Sequence, residues 1–114
     1  MQRWNLREIA TPDGSRSPVV LHSEEGVARA VLIELEPGQE LGDHEVKERA
    51  FVAVVDGSVR VEADGDSFEA AAGTLLTFDP EERHAIASTS GARILMLLAP
   101  WPGAGHFRGE AAAS

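Results

Sequence analysis

Cysteine is absent from the 114-residue chain, which removes a disulfide framework, thiolate zinc sites and cysteine nucleophiles, and agrees with a reducing compartment. Bases are scarce as well. Ten Lys and Arg stand against nineteen Asp and Glu, a formal net charge of −9. They are scattered singly among acidic pairs such as Glu24-Glu25 and Glu81-Glu82. A phosphate-binding surface needs clustered Lys and Arg, so nucleic acid is not the expected partner and the acidity reads as solubility. Long hydrophobic runs are missing too: the longest apolar stretches, 51–55 and 94–99, have strand length and fall far short of a membrane span. The opening residues Met1-Gln2-Arg3-Trp4-Asn5-Leu6-Arg7-Glu8 carry no apolar run behind their basic residues, which is not the form of a signal peptide. The expected location is the cytoplasm, with no membrane partner. Two domains would each be too small to bury enough apolar surface. We expect one domain over 1–114, with its core over about 18–100 and a C-terminal segment over 101–114 ending in a frayed tail from 109.

What the chain does contain is a period of two. Val59, Val61 and Ala63 alternate with Ser58, Arg60 and Glu62, as in a strand with one buried and one wet face. The stretch 51–55 is apolar at both parities, which predicts a central strand covered on both sides. Further strands are expected over 19–22, 27–35, 39–46, 67–69, 74–78, 84–88 and 93–98, with no convincing amphipathic helix between them. Asp56-Gly57 and Asp64-Gly65 offer the positive φ angles of tight hairpins, and Glu25-Gly26, Pro37-Gly38 and Ser90-Gly91 mark other reversals. About nine short strands at this spacing predict an all-β jelly roll or barrel.

Four histidines, His22, His44, His84 and His106, are the candidates for chemistry. His44 lies in Gly38-Gln39-Glu40-Leu41-Gly42-Asp43-His44, which continues through Phe51-Val52-Ala53-Val54-Val55-Asp56-Gly57. His84 closes Gly73-Thr74-Leu75-Leu76-Thr77-Phe78-Asp79-Pro80-Glu81-Glu82-Arg83-His84. The first stretch resembles the first motif of the cupin superfamily, in which a glycine is followed by two histidines, a glutamate and a second glycine. The second stretch resembles that family's second motif, which runs from glycine through proline and glycine to histidine. The resemblance spans roughly residues 27 to 99 and implies a cupin-type jelly-roll β-barrel.

In that family two histidines and a glutamate of the first motif, with the histidine of the second, hold a divalent metal. The corresponding positions here are His44, Val46, Ala50 and His84, and neither Val46 nor Ala50 can coordinate. The second motif is altered too, with Asp79 where proline is usual, Pro80 one place late and Glu81 in place of glycine. A regular strand from His44 onward would put 44, 46, 48 and 50 on one face, bringing Glu48 to His44. With His84 that makes a two-histidine, one-carboxylate set suited to a divalent first-row metal ion. The competing reading is that Asp43, Glu45, Lys47, Glu48 and Arg49 form a solvated charged loop.

Two functions stay open at this point. In the first, the chain is a binding or sensing module, or a metal-free catalyst, whose barrel holds a small polar organic ligand. Its pocket is drawn from His44, Val46, Glu48, Ala50, Phe51, Phe78 and His84, with Val52, Val54, Ile86 and Met96 as further apolar wall. In the second, the chain is a metal-dependent enzyme of dioxygenase or isomerase type, with the metal on His44, Glu48 and His84. Two missing family ligands favour the first. His22 reads as a strand-end residue, and His106, in Trp101-Pro102-Gly103-Ala104-Gly105-His106-Phe107, as part of an apolar anchor that folds back over the barrel or onto a second subunit. Small cupins commonly pair, and 94–98 beside Trp101 reads as an apolar terminal strand, so a homodimer is expected.

Overall fold

A computed structural model describes residues 1–11, 18–44 and 46–103, with the backbone alone described over 42–44. Its eight strands are β1 (Val19–Glu24), β2 (Ala28–Leu35), β3 (Glu40–His44), β4 (Arg49–Ala63), β5 (Asp66–Ala71), β6 (Leu75–Phe78), β7 (His84–Ala87) and β8 (Ala92–Ala99). All pairings are antiparallel, in the order β1-β2-β8-β4-β7-β3, with β5 and β6 also on β4. The protein is all-β, as its period-two pattern predicts. Among the described residues no helix is long and apolar enough to cross a membrane.

β4 is the spine, because its first half pairs with β8 and β6 and its second half with β7 and β5. Each pair of partners follows on along it, with a register offset of one or two residues where one partner gives way to the next. β7 and β8 run from His84 opposite Ala63 to Ala99 opposite Arg49, while β5 and β6 run from Asp66 opposite Ala63 to Phe78 opposite Ala50. The sheet therefore folds over along one line, a crease, which Gly38, Gly57, Gly73 and Gly91 all border with φ of 84°, 73°, 96° and 102°. At Gly57 space is as strict as conformation, since a Cβ there would lie 2.2 Å from the Gly91 carbonyl oxygen.

This corrects the reading of Asp56-Gly57 as a hairpin and of 51–55 and 58–63 as two strands: both stretches belong to β4. A two-residue hairpin of the kind expected needs positive φ at both central residues. Asp64 (52°) and Gly65 (80°) supply it, whereas at the other pair only Gly57 has it. A bulge between Val54 and Asp56 shifts the register and changes which parity faces inward. Ala50, Val52 and Val54 are buried before it, Val59 and Val61 after it. Together with Val31, Ile33 and Leu35 of β2, Ile86 of β7 and Ile94, Met96 and Leu98 of β8, they form the core between the two halves of the folded sheet.

Two further expectations change for the same geometric reason. Phe51 has the opposite parity to Ala50 and Val52, so it is half-buried on the outer face of the sheet and is not pocket wall. β8 lies between β2 and β4, so 94–98 offers no free edge for a partner strand. Residues 1–11 instead reach the outer face, where Arg93 donates to the Leu6 carbonyl at 2.9 Å and Thr11 bonds to Glu34.

Candidate functional site

Opposite the crease, the strand ends form a mouth. β3 finishes there at His44, β6 at Phe78 and β8 at Ala99, while β4 and β7 begin there at Arg49 and His84. His84 pairs in register with Ala63 on one side and with His44 on the other. The two candidate histidines thus occupy neighbouring strands at one level. His84 is 2% exposed. A carbonyl can only accept, so the 3.1 Å contact between Nδ1 and the Glu82 carbonyl oxygen puts a proton on Nδ1 and, in the neutral ring, the lone pair on Nε2. Its ring stacks on Phe78, with centroids 4.0 Å apart and planes 8° from parallel. Phe78 sits on the facing half of the sheet, so the stack bridges the two halves at the mouth.

Glu48 reaches the mouth by a different route from the one its spacing suggests. The strand expected over 39–46 ends at His44, and the chain turns from β3, paired with β7, into β4, paired with β8. No parity therefore runs from His44 to Glu48. Glu48 instead precedes β4 on the same parity as Ala50, Val52 and Val54, and is itself fully buried. Burial of one member of the charged run contradicts the solvated-loop reading at that residue. Its Oε2 accepts the backbone N–H of Gly103 at 2.7 Å. Ala50 is core, and Val46 packs against the core from the loop. The side chain of His44 lies outside the described atoms, as does the whole of His106. His22, with its side chain 40% exposed, stands 3.3 Å from Glu24 within β1, which continues to Glu24, so it is a surface residue inside the strand and not at its end.

The rim is tied across. The Glu81 N–H donates to the Val46 carbonyl at 2.7 Å, Lys47 pairs with Glu81 at 2.9 Å, and Arg49 pairs with Asp79 at 2.7 Å. Glu81, which stands where the second motif usually has glycine, keeps a glycine-like φ of 67°. Past β8 the chain folds back over the mouth. The Trp101 carbonyl accepts the Gly26 N–H at 2.6 Å, and the Arg29 guanidinium lies 5.0 Å from the centre of the Trp101 ring. Gly103 lies so close to the Lys47 backbone that a Cβ would be 2.8 Å from its carbonyl oxygen. Sequence reasoning missed Gly103 as a partner of Glu48. The signal was a glycine directly after Trp101-Pro102, a turn element beside an apolar anchor. A cavity of about 430 Å³ opens at the crease between Pro37, Asp56, Gly91 and Arg93, away from all the sequence-predicted residues.

The four-ligand metal set of the resemblance does not fit this chain. Val46 and Ala50 present no donor, and among the described residues no group of three or more His, Asp or Glu side chains converges on a point. The buried donors described at the mouth are one imidazole and one carboxylate, and that carboxylate already receives the Gly103 N–H. This pair can accept hydrogen bonds from a small polar group, with aromatic and aliphatic surface around it.

The family model for the cupin domain matches residues 31–99. No curated protein gives a match. Among solved structures the chain is similar to an uncharacterised conserved protein with a double-stranded β-helix domain from Klebsiella pneumoniae, at 18% identity and a TM-score of 0.77, covering 90% of this chain and 93% of that one. It is also similar to an RmlC-like cupin from Desulfovibrio desulfuricans, at 23% identity and a TM-score of 0.76, covering 88% and 97%. A cupin superfamily protein from Desulfitobacterium hafniense follows at 14% identity and a TM-score of 0.71, covering 79% and 82%. Likeness at such identities speaks for the fold and leaves the chemistry to the residues.

Proposed function

The chain belongs to the cupin domain family, and on that premise we propose that it binds a small organic molecule at the mouth of its barrel, through polar groups and without a resident metal. The observation that carries this reading is the orientation of His84. The ring is buried at the mouth, stacked on Phe78 and oriented by its Nδ1 contact with the Glu82 carbonyl, so its neutral form carries the acceptor lone pair on Nε2, the atom that a ligand hydroxyl or amide would address. An oxygen-rich end of the ligand would lie toward His84 and His44, and its apolar part toward Phe78.

A thermal-shift screen of small hydroxy acids and polyols on the full chain, repeated on His44→Phe and His84→Phe, tests the reading. Each variant keeps roughly the shape and hydrophobicity of the ring, and should weaken the best ligand by about 1–3 kcal/mol through one lost buried hydrogen bond. Unchanged stabilisation of both variants would place the ligand chemistry elsewhere. Metal analysis of protein purified without added metal or chelator should give clearly less than one ion per chain. Stoichiometric metal that disappears in His44→Ala, Glu48→Ala and His84→Ala alike would establish the metal-dependent enzyme instead.

The same reading has the protein act in the cytoplasm as a homodimer. Pairing is supported by apolar side chains on the outer face of the sheet, where Leu75 is 64% exposed beside half-buried Phe51 and Leu97. A monomeric mass in solution at micromolar concentration would overturn it.

A further inference from the structure

We infer that Pro100–Gly103 is a latch over the mouth, that the buried carboxylate of Glu48 is its catch, and that access to His84 requires the latch to lift. The inference builds on the ligand-binding reading, but its first test needs no ligand. β8 is held along its length by two neighbours, and that ladder ends where Arg49 opposes Ala99. Beyond it the attachments become separate points, among them Gly26 N–H to the Trp101 carbonyl at 2.6 Å, Arg29 over the Trp101 ring at 5.0 Å, the packing of Trp101 against the edge of the core, and Gly103 N–H to Glu48 Oε2 at 2.7 Å. A segment held by points opens locally without unzipping the sheet beneath it. One of these points, the Gly103 bond to Glu48, is fully screened from water.

The closed state also hides the chemistry. His84 is 2% exposed and Glu48 is fully buried. Gly103 is buried and presses backbone against backbone at Lys47, so the fit of the latch depends on the missing side chain at that one position.

Gly103→Ala is the direct test. Its Cβ would lie 2.8 Å from the Lys47 carbonyl oxygen and 2.9 Å from its carbon, so the latch must shift away while Glu48, His84 and the core keep their own side chains. In hydrogen exchange on the full chain, the amides of Trp101 and Gly103, the two that 100–103 carries, should exchange at least tenfold faster in the variant, with those of 92–98 unchanged. Unchanged exchange at Trp101 and Gly103, or an equal rise over 92–98, would overturn the latch. Acylation of histidine by diethyl pyrocarbonate, read by peptide mass spectrometry, should likewise be at least tenfold faster at His84 in the variant, with exposed His22 as the internal standard. Equal His84 rates in both proteins would also overturn it. If the screen finds a ligand, its association rate should rise in Gly103→Ala. A latch that lifts in both assays while no ligand binds would refute the ligand-binding reading alone.

Discussion

The crease and the mouth are built from opposite materials. At the crease the chain brings backbone onto backbone: four glycines at positive φ border one line, and Gly57 sits where no side chain has room beside Gly91. At the mouth the backbone ends, and side chains of ionisable type are buried in its place, Glu48 and His84 among them. The crease determines that this sheet folds over on itself, while the mouth determines what it can hold. Substitutions at the crease should therefore act on folding, and substitutions at the mouth on local opening and on binding, with the fold spared.

The largest effect should come from Gly57→Ala. It combines a left-handed φ of 73° with a Cβ 2.2 Å from the Gly91 carbonyl oxygen, so backbone must move against backbone. A loss of about 3 kcal/mol or more in urea unfolding is expected. Gly73→Ala sharpens the comparison, because its φ of 96° is just as unfavourable but nothing lies within 4 Å of the added carbon. It should lose only about 1–2 kcal/mol, the conformational part alone. Equal losses in the two variants would mean that close packing at the crease contributes nothing.

A smaller and more local effect is expected at the catch of the mouth. Glu48→Ala leaves the Gly103 N–H without its carboxylate, at a cost of about 2 kcal/mol. The cost is limited by how much the latch itself contributes, since Pro100–Gly103 can lift away and find water. Urea unfolding should therefore show a modest loss with an unchanged slope, and hydrogen exchange should concentrate the change at the amides of Trp101 and Gly103. A loss spread evenly through β4 and β8 would show that Glu48 supports the core as a whole and that mouth and crease are one cooperative unit.

Much of this architecture is legible in the residue order, and the rest fails for a definite reason. Alternation over 58–63 identifies the second half of β4, and Asp64-Gly65 identifies its hairpin, because both signals are local. Asp56-Gly57 looks the same on paper. What makes it a crease is that β7 and β8 continue across it on the neighbouring strand, information that lies far away along the chain. The site divides in the same way. His84 and Phe78 are placed by their own strands and motif. Glu48 lies in a run of charges that reads as solvated, and what buries it includes Gly103, fifty-five residues on. No period in the sequence encodes that contact.

The smallest effect sharpens the comparison most, because it concerns a glycine-like conformation at the mouth held by a residue that carries a side chain. Glu81 holds φ at 67°, a conformation that costs a side-chain-bearing residue roughly 1–2 kcal/mol. Its N–H is tied to the Val46 carbonyl at 2.7 Å, and its carboxylate meets Lys47 at 2.9 Å. The ion pair is largely exposed, with side chains 37% and 61% accessible, so it returns only about 0.5 kcal/mol or less. The backbone strain exceeds what the pair provides. Glu81→Gly should therefore stabilise the protein by about 0.5–1 kcal/mol, which is the strain relieved, less the lost pair and the extra freedom of glycine when unfolded. Glu81→Ala separates the two terms: it loses the ion pair but keeps a Cβ at the same φ, so its urea midpoint should fall slightly below that of the parent. If the Gly and Ala variants shift together, the left-handed residue carries no strain, and glycine-like geometry at the mouth is not under the constraint that governs the crease.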